Sequence, residues 1–202
     1  MENKNYSNAF RGLKKDKVMK FLIKKFGDQI DIKDRYNNNY SKAVADLIIE
    51  QQISFKAAIS IKKKFNDLIS NSKNILEISD EELKSIGISS RKVEYIKNVY
   101  NFFYQKEIDF NSLTDKDIID TLCKIKGVGS WTAQMFLIFI LFREDVFSKK
   151  DLALINSIKI NYNIRMLSDK KLDELIKSWK PFNSIASLLL WKSIEEKQFY
   201  IK

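Results

Sequence analysis

Three kinds of residue in this chain could do chemistry, and they come in a set order. Gly127 and Gly129, two of only five glycines, share one short turn within LCKIKGVGSWTAQMFLIF. Glycine permits positive φ and lets a backbone come close to another molecule. A helix that begins after such a turn offers free N–H groups and a positive dipole end to an anion. Asp151 follows, behind Lys149 and Lys150 in DVFSKKDLAL. An aspartate at a helix start is an N-cap on position alone. An ionised carboxylate flanked by ammonium groups can also stabilise a cationic, sugar-like transition state and orient water against it. The tryptophans are the third kind: Trp131 just after the turn, Trp179 and Trp191 near the end. At helical spacing these are core residues; two of them beside Asp151 would instead wall a slot for a planar, cationic base.

Composition narrows the chemistry. The 202 residues are 45% apolar, enough for a real core, and carry a formal charge of +10, a surplus that favours a polyanion such as nucleic acid or an anionic membrane face. A lysine-rich solvated surface is the plain alternative. Cys123 is the only cysteine and histidine is absent. An intrachain disulfide, a tetrahedral Cys/His zinc site and a four-cysteine iron–sulfur cluster are therefore excluded. Hydrolytic chemistry must rest on carboxylates, hydroxyls, lysines or oxygen-bound cations. MENKNYSNAFRGLKKDK lacks the apolar stretch of a signal peptide. The apolar run from Met135 to Phe142 is far short of the roughly 20 residues a membrane span needs. The expectation is a soluble, intracellular monomer.

The elements that must position these residues read as helices. Asp16 to Phe26 has three-to-four apolar spacing and stops at Gly27; DIKDRYNNNY is a polar loop; SKAVADLIIEQQIS breaks near Gln51–Ser54 and restarts at FKAAISIKKKF. Ser79 with Glu82 makes a capping box, Ser90 can cap RKVEYIKNVYNFFYQ, and Thr114 opens DKDIIDTLCKI. A hairpin of four or five residues then leads to a helix from Ser130 or Trp131 that is apolar on every face, hence buried. DLALINSIKINY, SDKKLDELIKSW and SIASLLLWKSIEEK complete an all-α chain of eight to ten helices.

LCKIKGVGSWTAQMFLIF, DVFSKKDLAL and WKPFNSIASLLLW, with ADLIIEQQISFKAA and LKSIGISSRKVEYI upstream, together resemble the helix-hairpin-helix-GPD superfamily of DNA glycosylases, in its 3-methyladenine DNA glycosylase II branch. The resemblance covers about Asp16 to Glu196. It implies a two-lobed all-α fold without an N-terminal β domain, with residues 41–147 as the central lobe and 1–40 plus 148–202 as the other. It implies Asp151 as the catalytic carboxylate and Trp131, Met135 and Trp191 as the base pocket. DNA contacts fall to Lys126, Gly127, Val128, Gly129, Ser130 and Thr132 of the hairpin, to Lys149 and Lys150, and to Gln52 and Ser54, with Gln52 where the family inserts a wedge. The carbonyls of Ile125 and Val128 become a candidate seat for Na⁺ or K⁺; no other cofactor is implied.

What the resemblance implies about activity is excision of alkylated purines from duplex DNA by hydrolysis of the N-glycosidic bond. Strand-cutting members carry a lysine where this chain has Trp131, so no AP-lyase activity is expected. The chain departs from the family at Ser148 and Lys150, where a proline and an acid are usual, at Asn183, where arginine is common, and at Met135, where some relatives have tyrosine. Two other readings stand beside it: a glycosylase for oxidised or deaminated bases, and a helix-hairpin-helix module that binds DNA without catalysis.

Overall fold

The computed structural model describes residues 6–70 and 74–200; the opening MENKN lies outside them. Among the described residues there is no strand, and the chain is all-α. The helices are α1 (Ser7–Leu13), α2 (Lys17–Phe26), α3 (Tyr40–Glu50), α4 (Phe55–Ser70), α5 (Asp80–Ser85), α6 (Ser90–Gln105), α7 (Asp115–Leu122), α8 (Ser130–Phe139), α9 (Leu152–Asn161), α10 (Asp169–Trp179) and α11 (Asn183–Glu195), with 3-10 turns at Ile32–Arg35 and Ile75–Glu77. The eleven α-helices among the described residues exceed the expected eight to ten; α1 is one that the pattern of the first residues left unread.

Local chemistry explains most helix starts. Asp16 accepts from Val18 N and Met19 N, Asn39 caps α3, Ser79 and Glu82 form the reciprocal capping box of α5, and Thr114 caps α7. One expected cap is displaced by a residue: α6 is capped by Ser89, whose backbone is extended, and Ser90 is already its first helical residue. The polar loop before α3 contains the 3-10 turn Ile32–Arg35.

The chain divides into two compact units, Arg35–Leu141 and a second formed by Met1–Asp34 with Phe142–Lys202. The boundaries precede 41 and 148, those read from the sequence, because the residues between side with other elements. Arg35 pairs with Glu50 at the end of α3 and lies over the Phe139 ring at 4.4 Å, while the backbone of residues 143–146 is bonded to α11.

In the first of these units α3 packs on α6, α8 and α4, and α7 packs on α8. Tyr40 meets Phe110 and Phe136 edge-on at 5.1 and 5.6 Å, those two rings are tilted against each other at 5.1 Å, and α8 buries Thr132, Ala133 and Met135 through Phe139. Each large apolar side chain so buried contributes roughly 1.5–3 kcal/mol, so the helix after the hairpin is anchored along its length. In the second unit α11 packs on α9, α2 and α10. Ser157, Asn161 and Ser193 join α9 to α11 in a buried polar cluster, and the Tyr162 hydroxyl donates to Asp16 at 2.7 Å. Burial and the neighbouring Asp16 carboxylate push the Tyr162 phenol far above its ordinary pKa. Trp179 is core, between Phe147 and Tyr162.

Candidate active site and nucleic-acid interface

The acid is held by two elements of its own unit. Asp151 has extended backbone and caps α9: its Oδ1 accepts from Leu154 N at 2.9 Å. The same oxygen accepts the Trp191 indole N–H at 3.2 Å, from α11. The cap and the candidate acid are thus one residue. Asp151 is only 8% exposed, so its carboxylate is largely withdrawn from water, while Leu152 beside it is 76% exposed.

α11 also fixes the segment leading to the acid. Ser184 N donates to Glu144 O at 2.9 Å, its hydroxyl donates to Arg143 O at 2.6 Å, and Val146 N donates back to that hydroxyl at 3.1 Å. Asn183 Nδ2 donates to Asp145, whose other oxygen faces Lys180 at 3.3 Å. Two turns beyond Ser184, Trp191 reaches Asp151. One helix therefore grips the acid-bearing segment at its start and at its end.

Lys149 and Lys150 are exposed, but Lys149 is paired with Asp173. An exposed pair of this kind is weak and salt-screened, so Lys149 remains open to exchange for another anion. Ser148 is different: its hydroxyl is buried and has no hydrogen-bond partner.

The glycine hairpin belongs to the other unit. α7 ends at Leu122, so the connection runs from Cys123 to Gly129, longer than the four or five residues expected. Ile125 N bonds to Leu122 O and Val128 N to Ile125 O, two short turns that carry the chain round where helix was read. The two glycines serve different ends. Gly127 has φ +103, and a Cβ there would lie 2.1 Å from the Tyr95 ring. Gly129 has an ordinary extended φ of −100, and a Cβ there would meet nothing within 4 Å. Packing inside the molecule demands the first glycine and leaves the second unexplained. Gly129 is the N-cap residue of α8 and supplies no capping side chain.

The interrupted α3–α4 connection is bonded to this hairpin. Gln51 Nε2 donates to Thr132 Oγ1 at 2.9 Å and to Gly127 O at 3.3 Å. Lys92 of α6 donates to Ile49 O and Gln51 O, closing the C-terminal carbonyls of α3, and burial pushes its ammonium below the ordinary lysine pKa. Held this way, the next residue, Gln52, is exposed with φ 56, a conformation few non-glycine residues adopt. Ser54 Oγ accepts from Ala57 N at 3.3 Å, serving the first turn of α4.

The candidate residues therefore fall into two sets. Asp151, Trp191, Lys149 and Lys150 belong to one unit; Gln52, Ser54, Lys126, the hairpin, Trp131 and Met135 belong to the other. Within the second set, Lys126 is exposed and paired with Glu94, Ser130 and Trp131 are half-buried, and Met135 is only 1% exposed. The side chains of Val128 and Thr132 are buried, so what these two offer a ligand is backbone. Gln51 and Lys92 were not among the residues singled out from the sequence. The Gln51–Gln52 pair was visible there, but nothing in it says that one side chain turns inward and the other out. Among the described residues no cluster of three or more metal-ligating side chains occurs, and no helix is long and apolar enough to cross a membrane.

A glycine hairpin opening a buried helix, in an all-helical chain with a withdrawn acid at a later helix start, places the protein in the helix-hairpin-helix class. The chain belongs to the HhH-GPD superfamily of base excision DNA repair proteins, whose family pattern matches residues 45–181. It is 32% identical to the YfjP protein of Bacillus subtilis (strain 168) over 73% of this chain and 56% of that one. It thus spans little more than half of that relative's length. It is 26% identical to DNA-3-methyladenine glycosylase 1 of Schizosaccharomyces pombe over 88% of this chain and 82% of that protein. The solved structure of the fission-yeast 3-methyladenine DNA glycosylase Mag1 in complex with abasic DNA matches 97% of this chain and 100% of its own, with a TM-score of 0.85 at 25% identity.

Proposed function

We propose that this protein is a monofunctional DNA glycosylase that removes alkylated purines of the 3-methyladenine and 7-methylguanine type from duplex DNA. The observation that carries the reading is the Asp151 carboxylate: largely buried, oriented by the Leu154 N–H and the Trp191 indole, in a chain of this family. An N3- or N7-alkylated purine is already cationic and leaves without being protonated, so a site without histidine or an evident general acid suffices. The nucleotide is turned out of the stack at a cost of a few kcal/mol. As the C1′–N bond breaks, positive charge grows on the sugar; Asp151 opposes it and orients the attacking water. Trp131 and Trp191 supply aromatic surface for the cationic base, with Met135 one turn further along α8 from Trp131.

Hairpin backbone N–H groups at the start of α8 hold a DNA phosphate, and the side-chain-free surface at Gly129 lets the phosphate approach. Gln52, presented by the Gln51 and Lys92 bonds, fills the gap left by the flipped nucleotide. The Ile125 and Val128 carbonyls fit a hard monovalent cation as oxygen donors; Ile125 O keeps a lone pair after accepting Val128 N. Such an ion would stiffen the turn. With Trp131 in place of an amine, water is the nucleophile and an intact abasic strand the product.

Incubation with methylated duplex DNA tests the reading, with released bases identified by chromatography and strand nicking scored separately. Release of 3-methyladenine or 7-methylguanine without nicking is expected. Release of only 8-oxoguanine or hypoxanthine, or nicking through a borohydride-trapped adduct, would overturn the substrate class or the monofunctional mechanism.

A further inference from the structure

The unit that carries Asp151 has a second cation-rich surface that the excision reaction leaves unused. Lys14, Lys17, Lys20 and Lys24 rim one cleft of about 730 Å³, in which Asp28 is the one carboxylate. All four are exposed, and none is paired with a carboxylate among the described residues. Lys42, Lys97, Lys126, Lys149 and Lys192 each have such a partner. Asp16, next to Lys17, is committed elsewhere: its oxygens take Val18 N, Met19 N and the Tyr162 hydroxyl. The cleft floor is aromatic, with Phe21 and Tyr200 edge-to-face at 5.6 Å.

The arrangement follows from the sequence of α2. Val18, Met19, Leu22, Ile23 and Phe26 are buried, which forces Lys17, Lys20 and Lys24 onto the opposite face at one-turn intervals. That stripe is about 10 Å long at 1.5 Å per residue. Along a strand that rises about 3.4 Å per nucleotide it covers about three nucleotide steps, so the three ammoniums can each reach a different phosphate. The stripe is remote from the acid. Asp151 caps the start of α9, whereas Tyr162 at its other end bonds to Asp16, the cap of α2. The ten residues of α9 separate the two by about 15 Å.

We propose that the Lys17–Lys20–Lys24 cleft is a second, sequence-independent seat for a DNA phosphodiester chain, distinct from the base-removing site. Flexible ammoniums without fixed partners suit evenly spaced charges rather than one shaped peptide, and the aromatic floor gives sugars and bases a surface to rest on. The proposal rests on the DNA-acting reading above, but its test needs no excision.

The test is binding of undamaged duplex by the full chain and by Lys17→Ala/Lys20→Ala/Lys24→Ala across a salt series. Each lysine neutralising a phosphate contributes about 0.9 to the slope of log K against log salt, so the slope is expected to become shallower by about 2 to 3, with affinity falling at least about tenfold at low salt. A Lys→Arg triple variant should restore both. Excision measured with enzyme saturating over methylated DNA should be unchanged. Unchanged slope and affinity overturn the proposal, including the case where the cleft serves an acidic protein. A lost excision rate at saturation overturns its separateness from the active site. If the alanine variant misfolds by circular dichroism, Lys20→Glu alone decides by the same slope. Should the wild type release no base while the slope still changes, the cleft stands and the glycosylase reading falls.

Discussion

Two helix starts in this molecule are built in opposite ways. α9 begins with a side chain that satisfies its backbone: Asp151 accepts from Leu154 N and brings in the Trp191 indole as well. α8 begins with Gly129, which brings no side chain, needs no unusual φ and has open space where a Cβ would stand. A cap on α8 would have stabilised it, since replacing glycine by aspartate at an N-cap gains a few tenths of a kcal/mol. The difference teaches that one start keeps a negative charge and the other keeps its positive end open. An acid withdrawn from water suits a developing cation, and an open helix start suits an incoming phosphate.

The largest expected effect breaks the α9 side of the contrast. Asp151→Asn retains an oxygen for Leu154 N and Trp191 and ranks with aspartate as a cap, so thermal stability should stay within about 1 kcal/mol of wild type. Loss of the charge should slow base release by about 10²–10⁴-fold, roughly 3–5 kcal/mol. Single-turnover excision beside a DNA-binding isotherm checks this; a mutant as fast as wild type removes Asp151 from the chemistry.

The hairpin glycines sharpen the α8 side. Gly127→Ala forces a Cβ into the Tyr95 ring at a positive φ, and should cost about 1–3 kcal/mol of stability. Gly129→Asp should leave stability level or slightly higher, because its space is open and its side chain can cap α8. The same carboxylate would repel a phosphate, so affinity for DNA should drop about tenfold, about 1.4 kcal/mol. Urea denaturation and DNA binding measured together separate the two glycines. Equal behaviour would mean that Gly129 is only part of a tight turn.

Next comes the link that ties the α3–α4 break to the hairpin. Gln51→Ala removes the bonds to Thr132 Oγ1 and Gly127 O, with an expected cost of about 1–2 kcal/mol of stability from the buried acceptors left behind. Excision should suffer in the rate at saturating DNA, because Gln52 is no longer held in its left-handed conformation. A change in stability with an unaltered saturating rate would make Gln51 merely structural.

These side chains mark how far the sequence carries. Short-range chemistry was legible: the Ser79–Glu82 box, the Thr114 cap, the start of α8 and its burial all follow from residues within four positions of one another. Ser89 and Ser90 show the limit of that reading, since two adjacent serines are chemically alike and only backbone conformation chooses the cap. The hairpin was placed correctly but read short, because LCKI looks helical until tertiary packing turns it at Cys123. Gln51 and Lys92 stayed hidden for another reason. Their partners lie 41 to 81 residues away, and no local pattern encodes a side chain's distant acceptor. Asp151 and Trp191 could each be named from the sequence, but not the indole-to-carboxylate bond between them, and the α2 lysines entered only as part of the chain's positive charge.

The smallest effect concerns the segment before Asp151. The Ser148 hydroxyl is buried without a hydrogen-bond partner. A buried hydroxyl left unbonded costs on the order of 1 kcal/mol. Ser148→Ala deletes the group and keeps Ser148 O, which accepts Asp151 N at 3.1 Å. Stability should therefore rise by up to about 1 kcal/mol, with excision and DNA affinity unchanged. If the alanine variant instead loses excision while gaining stability, the hydroxyl acts on the acid or its water, and the withdrawn start of α9 contains two working groups rather than one.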